Sequence, residues 1–358
     1  MKRILALVLL VLLVAAGGSA YWIYKTLHTP VSHQKSGQYI EIPRRSSPSA
    51  VVRKLTAAGV LQHESLLGIY LKVSGRGARF KAGEYNFPSP ITPLAVFEKL
   101  EQGEQRLVRF TVIEGWTHWD IANAMAKMPE LQVPDAEAAL ALLDNVDQIR
   151  ELDPQATNLE GYVCPDTYEF PPGTTAKTLV EMMVKRFLNT WTPEAKAKAE
   201  ALHLTPRQIV TTASLIETEA KLNAERPLVA SVIYNRLRTN TPLGIDSSII
   251  YASKLAGKWK NNGKVYKSDV DRRSPYNTRL NTGLPPGPIA SPGASSLQAA
   301  LNPAQTDYLF YVRDPARNDG AHHFYSNGGD FGRGVQALRA WERQRDADNA
   351  KRKANNSR

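Results

Sequence analysis

The run from Ile4 to Tyr24 carries no charged side chain, and Lys2 and Arg3 precede it. At 1.5 Å per residue its 21 positions make about 31 Å of helix, the thickness of one hydrocarbon core. Tyr21, Trp22 and Tyr24 stand where an interfacial aromatic belt would stand. The pattern predicts a cytoplasmic stub at 1–3, a transmembrane helix at 4–24, and the rest of the chain on the periplasmic side of the inner membrane. The alternative is a cleaved signal peptide, because Gly18-Ser19-Ala20 offers the small residues of a cleavage site. Either reading exports residues 25–358.

A polar linker at 25–37 follows, and then a pattern that partly repeats. Tyr39 to Pro43 alternates like a strand, and Ser49 to Ala58 has helical spacing that stops at Gly59. Glu84 to Pro88 is strand-like again, and Pro93 to Gln102 is helical and stops at Gly103. A third strand is expected at Val108–Ile113 and a helix from about Thr117 to Met128. Residues 115–205 are mostly helical in pattern. Residues 240–296 are rich in Gly, Pro, Asn and Ser, and an irregular stretch of that length is usually functional when it is ordered. Strands return at Tyr308–Val312 and His323–Ser326. The fold class is therefore α+β, with a small module at 38–105, a larger mixed α/β domain at 106–340 and a basic tail at 341–358, expected to fray from a helix into disorder.

Composition narrows this little. With 42% hydrophobic and 22% charged residues, whole-chain disorder is excluded. The lone cysteine, Cys164, forms no internal disulfide. The net charge of +11 asks for anionic partners. Export turns that preference from nucleic acid, which is not an expected partner, towards a lipid surface or an anionic wall polymer.

The sharpest local feature is PRQIVTTASLIETEAKL at 206–222. Thr205 and Gln208 form a capping box, and Pro206 suits the first helical turn. Ile209, Ala213, Ile216 and Ala220 fall on one stripe that should face a core. Glu217 and Glu219, two residues apart, point about 200° apart around the axis. Glu217 lies beside Val210, Ala213 and Ser214. It can pair with Lys221 one turn on, the plainer reading. It can also serve as a general acid whose apolar neighbours raise its pKa. Periodicity does not choose between the two glutamates.

ASLIETEA at 213–220 and VASVIYNRL at 229–237 resemble the YceG/MltG family of endolytic murein transglycosylases. So do LEGYVCPDTYEF at 159–170, SPYNT at 274–278 and GLPPGPIASPG at 283–293, in the same order and spacing. The likeness covers about residues 35–345. It implies a LysM-like small module and a helix-borne glutamate in an open groove of the larger domain. It also implies cleavage of MurNAc–GlcNAc β-1,4 bonds inside nascent peptidoglycan strands without water, leaving 1,6-anhydroMurNAc ends. The family's catalytic glutamate is the first of the S-x-x-E-x-E run, here Glu217. It would protonate the glycosidic oxygen and then, as a carboxylate, take the C6 hydroxyl proton.

The resemblance leaves Glu219 a structural or supporting candidate beside the substrate, and Ser214 a candidate contact with it. Asp166 and Tyr168, in the PDTY turn, would bind or stack on sugar, or else form a structural Asx-turn. Tyr276, Asn277 and Leu284 would line the groove, and Arg236 would grip a carboxylate. His322 and Phe324 match the family's G-x-H-x-F pattern loosely. Asp246 would be the second carboxylate of a rival hydrolytic muramidase, and a non-catalytic wall-binding scaffold is the other rival. The adjacent His322 and His323 lack a partner at ligand spacing, so no metal is expected, and no cofactor. Expected partners are the glycan strands, the cytoplasmic membrane and peptidoglycan synthases. Two departures stand out: Gly244 and Ser247 replace the family's Gln and Pro around Asp246, and Cys164 stands where an aromatic often precedes the PD pair.

Overall fold

The computed structural model describes residues 2–103, 106–317 and 319–356. The chain divides into two compact units, residues 1–109 with 169–174, and residues 110–168 with 175–358.

In the first unit, α1 (Lys2–His28) is followed by β1 (Tyr39–Ile42), α2 (Pro48–Ala57), α3 (Glu64–Ser74), β2 (Gly83–Asn86), α4 (Pro93–Gln102) and the start of β3 (Val108–Val112). The repeat read from the sequence has a physical form here. β1 and β2 pair antiparallel, with Ile40 opposite Tyr85. Each is followed by a helix that begins in the same way: Ser47 caps α2 and Thr92 caps α4, each accepting a backbone N–H, with Pro48 and Pro93 in the first turn. The inner faces close one core of Val51, Val52, Leu55, Tyr85, Phe87, Val96, Phe97 and Leu100, all buried. Arg76 grips Glu101 bidentately at 2.7 and 2.8 Å. That fork holds the Glu101 carboxyl below its usual range.

The membrane span read from Ile4–Tyr24 is overturned, and with it the single-pass inner-membrane location. Among the described residues, no helix is long and apolar enough to cross a membrane. The helix does not end at an aromatic belt but runs on through Lys25 to His28. Its last turns fold with the first unit: Leu27 is buried in that unit's core and Ile23 packs against it. The linker expected at 25–37 starts inside this helix, and Val31 pairs with Ile91.

The second unit takes the chain through α5 (His118–Ala126), α6 (Ala136–Leu143), β4 (Asp166–Phe170, whose last two residues belong to the first unit), α7 (Ala176–Leu188), α8 (Pro193–Ala201), α9 (Pro206–Glu219), α10 (Arg226–Arg238), α11 (Asp246–Leu255), α12 (Lys267–Val270), α13 (Ala294–Leu301), β5 (Phe310–Arg313), β6 (His322–Tyr325) and α14 (Gly328–Asn356). β3 pairs with β4, and β5 pairs antiparallel with β6, Tyr311 opposite Phe324. The segment 240–296 is not wholly irregular, since it holds α11 and α12. The expected fraying tail is helical to Asn356; its Ala, Arg, Gln and Glu residues are good helix formers.

Helix α9 is the centre of this unit. Its capping box forms as expected, with Gln208 N donating to Thr205 and Thr205 N donating to Gln208 Oε1 at 2.9 Å. Burial is not confined to the apolar stripe. Every residue from Ile209 to Ile216 is buried, Thr211, Thr212 and Ser214 included.

Candidate active site

Two motifs converge on α9 because small residues allow it. Gly161 sits in the left-handed region at φ +80°, and a Cβ there would lie 2.5 Å from Pro288 and 2.9 Å from Val210. The LEGY turn therefore packs on both the Pro-rich loop and the helix. Ser214 is wholly buried, and its hydroxyl accepts the Ile289 N–H at 3.1 Å, fixing that loop along α9. Farther on, Ser291 exchanges two backbone hydrogen bonds with the chain after β3: Ser291 N to Trp116 O at 2.7 Å and Gly115 N to Ser291 O at 2.9 Å.

Glu217 lies where these segments meet the end of α9. Arg226, the first residue of α10, forks onto it: Nη1 to Oε2 at 2.7 Å and Nη2 to Oε1 at 3.0 Å. The Gly293 N–H adds a third donor to Oε2 at 2.8 Å. Arg226 also donates to Ser296 of α13. The Glu217 side chain is 5% exposed and that of Arg226 6%. This is not the solvated pairing with Lys221 that spacing allows.

Glu219 turns to the other side of the helix and meets a different group. Tyr311 of β5 donates to its Oε2 at 2.8 Å, and Ser247 to Oε1 at 3.4 Å. Burial raises the Glu219 pKa above the usual carboxylate range; the nearby Asp246 charge adds to this, and Tyr311 opposes it. Four other expected site residues gather here. Asp246 pairs with Arg279 at 2.6 Å. Arg236 grips carbonyls rather than a carboxylate, donating to Leu309 O at 2.6 Å and Leu243 O at 2.5 Å. His322 packs edge-on to Tyr311 and pairs with Glu225 at 2.8 Å, while Phe324 lies 5.9 Å from the Tyr311 ring.

The remaining expected residues are elsewhere. Tyr276 lies tilted against Tyr251 with ring centroids 4.9 Å apart, and Tyr251 continues to Trp119 at 5.2 Å. At one end of that row His118 and Glu160 form a buried pair. Asn277 is buried and holds its own loop, donating to Val270 O and Arg272 O. Asp166 caps Thr167 N and pairs with Arg186 at 2.9 Å, and Tyr168 donates to Cys164 O at 2.6 Å. Leu284 lines a cavity of about 640 Å³ with Asp153, Arg207, Gln208, Pro285 and Pro286. That cavity adjoins the start of α9, and Glu217 is not part of its wall. Among the described residues, no cluster of His, Cys, Asp or Glu could hold a metal ion.

Sequence reasoning missed Arg226, Glu114, Tyr311, Glu160 and His118. Glu114-Gly115 directly follows the strand expected at Val108–Ile113, Glu160-Gly161 lies inside the LEGY motif, and Arg226-Pro227 carries a proline suited to a first helical turn. Nothing in their spacing says which carboxylate each would meet.

Known proteins resemble this chain over most of its length. A relative from Bacillus subtilis (strain 168), "Endolytic murein transglycosylase", is 36% identical over 312 residues, covering 82% of this chain and 84% of that protein. A relative of the same name from Streptococcus pneumoniae serotype 2 (strain D39) is 28% identical over 353 residues; the match covers 92% of this chain but 63% of that protein. The crystal structure of a putative yceG-like protein from Listeria monocytogenes aligns with TM-score 0.56 at 28% identity, covering 83% of this chain and 99% of that one. The profile of the YceG-like family matches residues 40–337, and the chain belongs to that family.

Proposed function

We propose that this chain is an endolytic murein transglycosylase that cuts MurNAc–GlcNAc β-1,4 bonds within peptidoglycan strands, with Glu217 as the proton carrier. The observation that carries this reading is the carboxylate at the end of α9, nearly dry and held by three donors from two other segments, in a family whose curated relatives bear that name. In its protonated form Glu217 gives its proton to the glycosidic oxygen as the C1–O bond breaks. The resulting carboxylate takes the proton of the C6 hydroxyl, and O6 bonds to C1 to close the anhydro ring. Glu217 ends protonated again, and no water enters. Arg226 and the Gly293 amide stabilise the carboxylate between the two transfers. Acid–base help of this kind is typically worth about 10²–10⁴-fold; holding the sugar in geometry supplies the rest.

Mass spectrometry of glycan digests tests this. Wild type should leave ends one water lighter than reducing ends, and Glu217→Gln should cut roughly 10²–10⁴-fold more slowly. Reducing ends would instead indicate the hydrolytic muramidase with Asp246. One observation favours a second assignment within the same activity: Glu219 is the carboxyl whose surroundings favour the protonated form. If Glu219→Gln stops turnover and Glu217→Gln does not, the two exchange roles.

The LysM-like reading of residues 38–105 belongs to the same proposal. Tyr39, exposed at the start of β1 with Arg106 stacked 5.6 Å from its ring centroid, is the sugar-facing candidate. Strand binding by the Glu217→Gln protein should weaken when Tyr39→Ala is added.

A further inference from the structure

Arg226 serves two carboxylates. Glu217 takes both of its Nη donors, while Glu114 Oε2 lies 3.8 Å from Nη2, an ion pair longer than a hydrogen bond. The two differ in access: the Glu114 side chain is 50% exposed, that of Glu217 5%. Among the described residues, the buried Arg226 Nε has no hydrogen-bond partner, so its donors are not saturated. Glu114 is held in place by more than chance. The two backbone hydrogen bonds between Gly115–Trp116 and Ser291 pin the chain next to it. Its carboxylate lies over Gly293, where any Cβ would come within 1.9 Å of Oε1. Gly293 is also the residue whose N–H reaches Glu217. One guanidinium and one glycine are thus common to both acids.

This arrangement answers a difficulty in the reading of Glu217 as proton carrier, on which the inference rests. A cation that stabilises the carboxylate between two proton transfers also opposes the protonated form that starts the cycle. A second carboxylate can balance the cation while the first is neutral. We propose that Glu114 is a positioning residue: it holds Arg226 while Glu217 carries its proton, and yields it when Glu217 becomes a carboxylate. No covalent bond changes at Glu114, and the proton remains on Glu217 until the glycosidic oxygen takes it.

Among the described residues, the charged groups tied to Glu217 are Arg226 from α10 and, through it, Glu114 from the chain between β3 and α5. α13 contributes Ser296 and has no charged residue. From α11, Asp246 acts on Glu219 instead. Lys221 lies against Gly320.

The test is kcat/KM against pH on glycan strands for wild type, Glu114→Gln, Glu114→Asp and Glu217→Gln. Without the Glu114 charge, Arg226 is left wholly to ionised Glu217. The alkaline limb of the profile should then move to lower pH by roughly half a unit to one unit. Glu114→Asp, which keeps the charge, should restore most of the limb, which a packing role would not require. Carboxyl NMR titration of Glu217 in the same proteins reads the same shift without turnover. An inactive Glu217→Gln with an unmoved limb in Glu114→Gln overturns this inference alone. An active Glu217→Gln overturns the assignment of Glu217, and the inference with it.

Discussion

Glu217 and Glu219 are one turn of chemistry apart although they share a helix end. Three donors converge on the first, whereas the second is partly buried beside Tyr311, with the Asp246 charge acting on it. The contrast has a consequence for stability that is separable from catalysis. A carboxyl raised in the folded state holds a proton that the unfolded chain has released. Its contribution is complete below the ordinary value of 4.5 and is lost as pH rises through the raised one. Glu219→Gln, which imitates the neutral acid, should remove that decline. Urea melts at a series of pH values should show the variant gaining on wild type from about pH 4.5 towards neutrality. Parallel curves would mean that the burial of Glu219 carries no such cost. Both glutamates were legible in the sequence as candidates, and they meet different partners, which come from positions 226, 293, 311 and 247.

At the scale of elements, local signals survived well where the chain punctuates itself. The Thr205–Gln208 box formed as read, and α2 and α4 start within one residue of the helical stretches expected at Ser49 and Pro93, because a cap is satisfied within four residues. Two signals were weaker. The apolar stripe of α9 understated its burial, since Thr211, Thr212 and Ser214 look polar but lie inside. α11 was hidden in a Gly- and Pro-rich stretch, and it spans only ten residues. Glycine carries more information at element junctions than periodicity does. Gly161→Ala should destabilise the protein by about 2–5 kcal/mol: about 1–2 for the left-handed backbone and about 1–3 for crowding Pro288 and Val210. Chemical denaturation checks this, and a change under about 0.5 kcal/mol would mean the loop moves aside freely.

Over the whole molecule, the net charge is a property the fold leaves unchanged, whereas the membrane span is overturned. The net +11 remains, but among the described residues no helix is long and apolar enough to cross a membrane, and the end of α1 is built into the first unit through Leu27 and Ile23. A hydropathy window sees the apolar run and not the core that its end joins. If the positive charge serves binding of strands with anionic peptide stems, retention of Glu217→Gln on such strands should fall with salt. Raising ionic strength from roughly 0.1 M to 1 M shortens the Debye length from about 10 Å to 3 Å. Stem-free strands should be less affected, and equal salt response for both would remove charge from the account.

What the residues alone determined was whatever short range decides: helix starts and stops, the strand–helix repeat of the first unit, the α+β class, and motif order close enough to indicate the family. What only the folded chain decided was long-range pairing. Arg226 rather than Lys221 meets Glu217, Tyr311 meets Glu219 from a strand 92 residues away, and Glu114 comes to share the arginine through two backbone hydrogen bonds to Ser291. Spacing along a helix fixes the direction in which a side chain leaves the axis. The charge or apolar wall it meets there depends on which distant segment the core brings to that face.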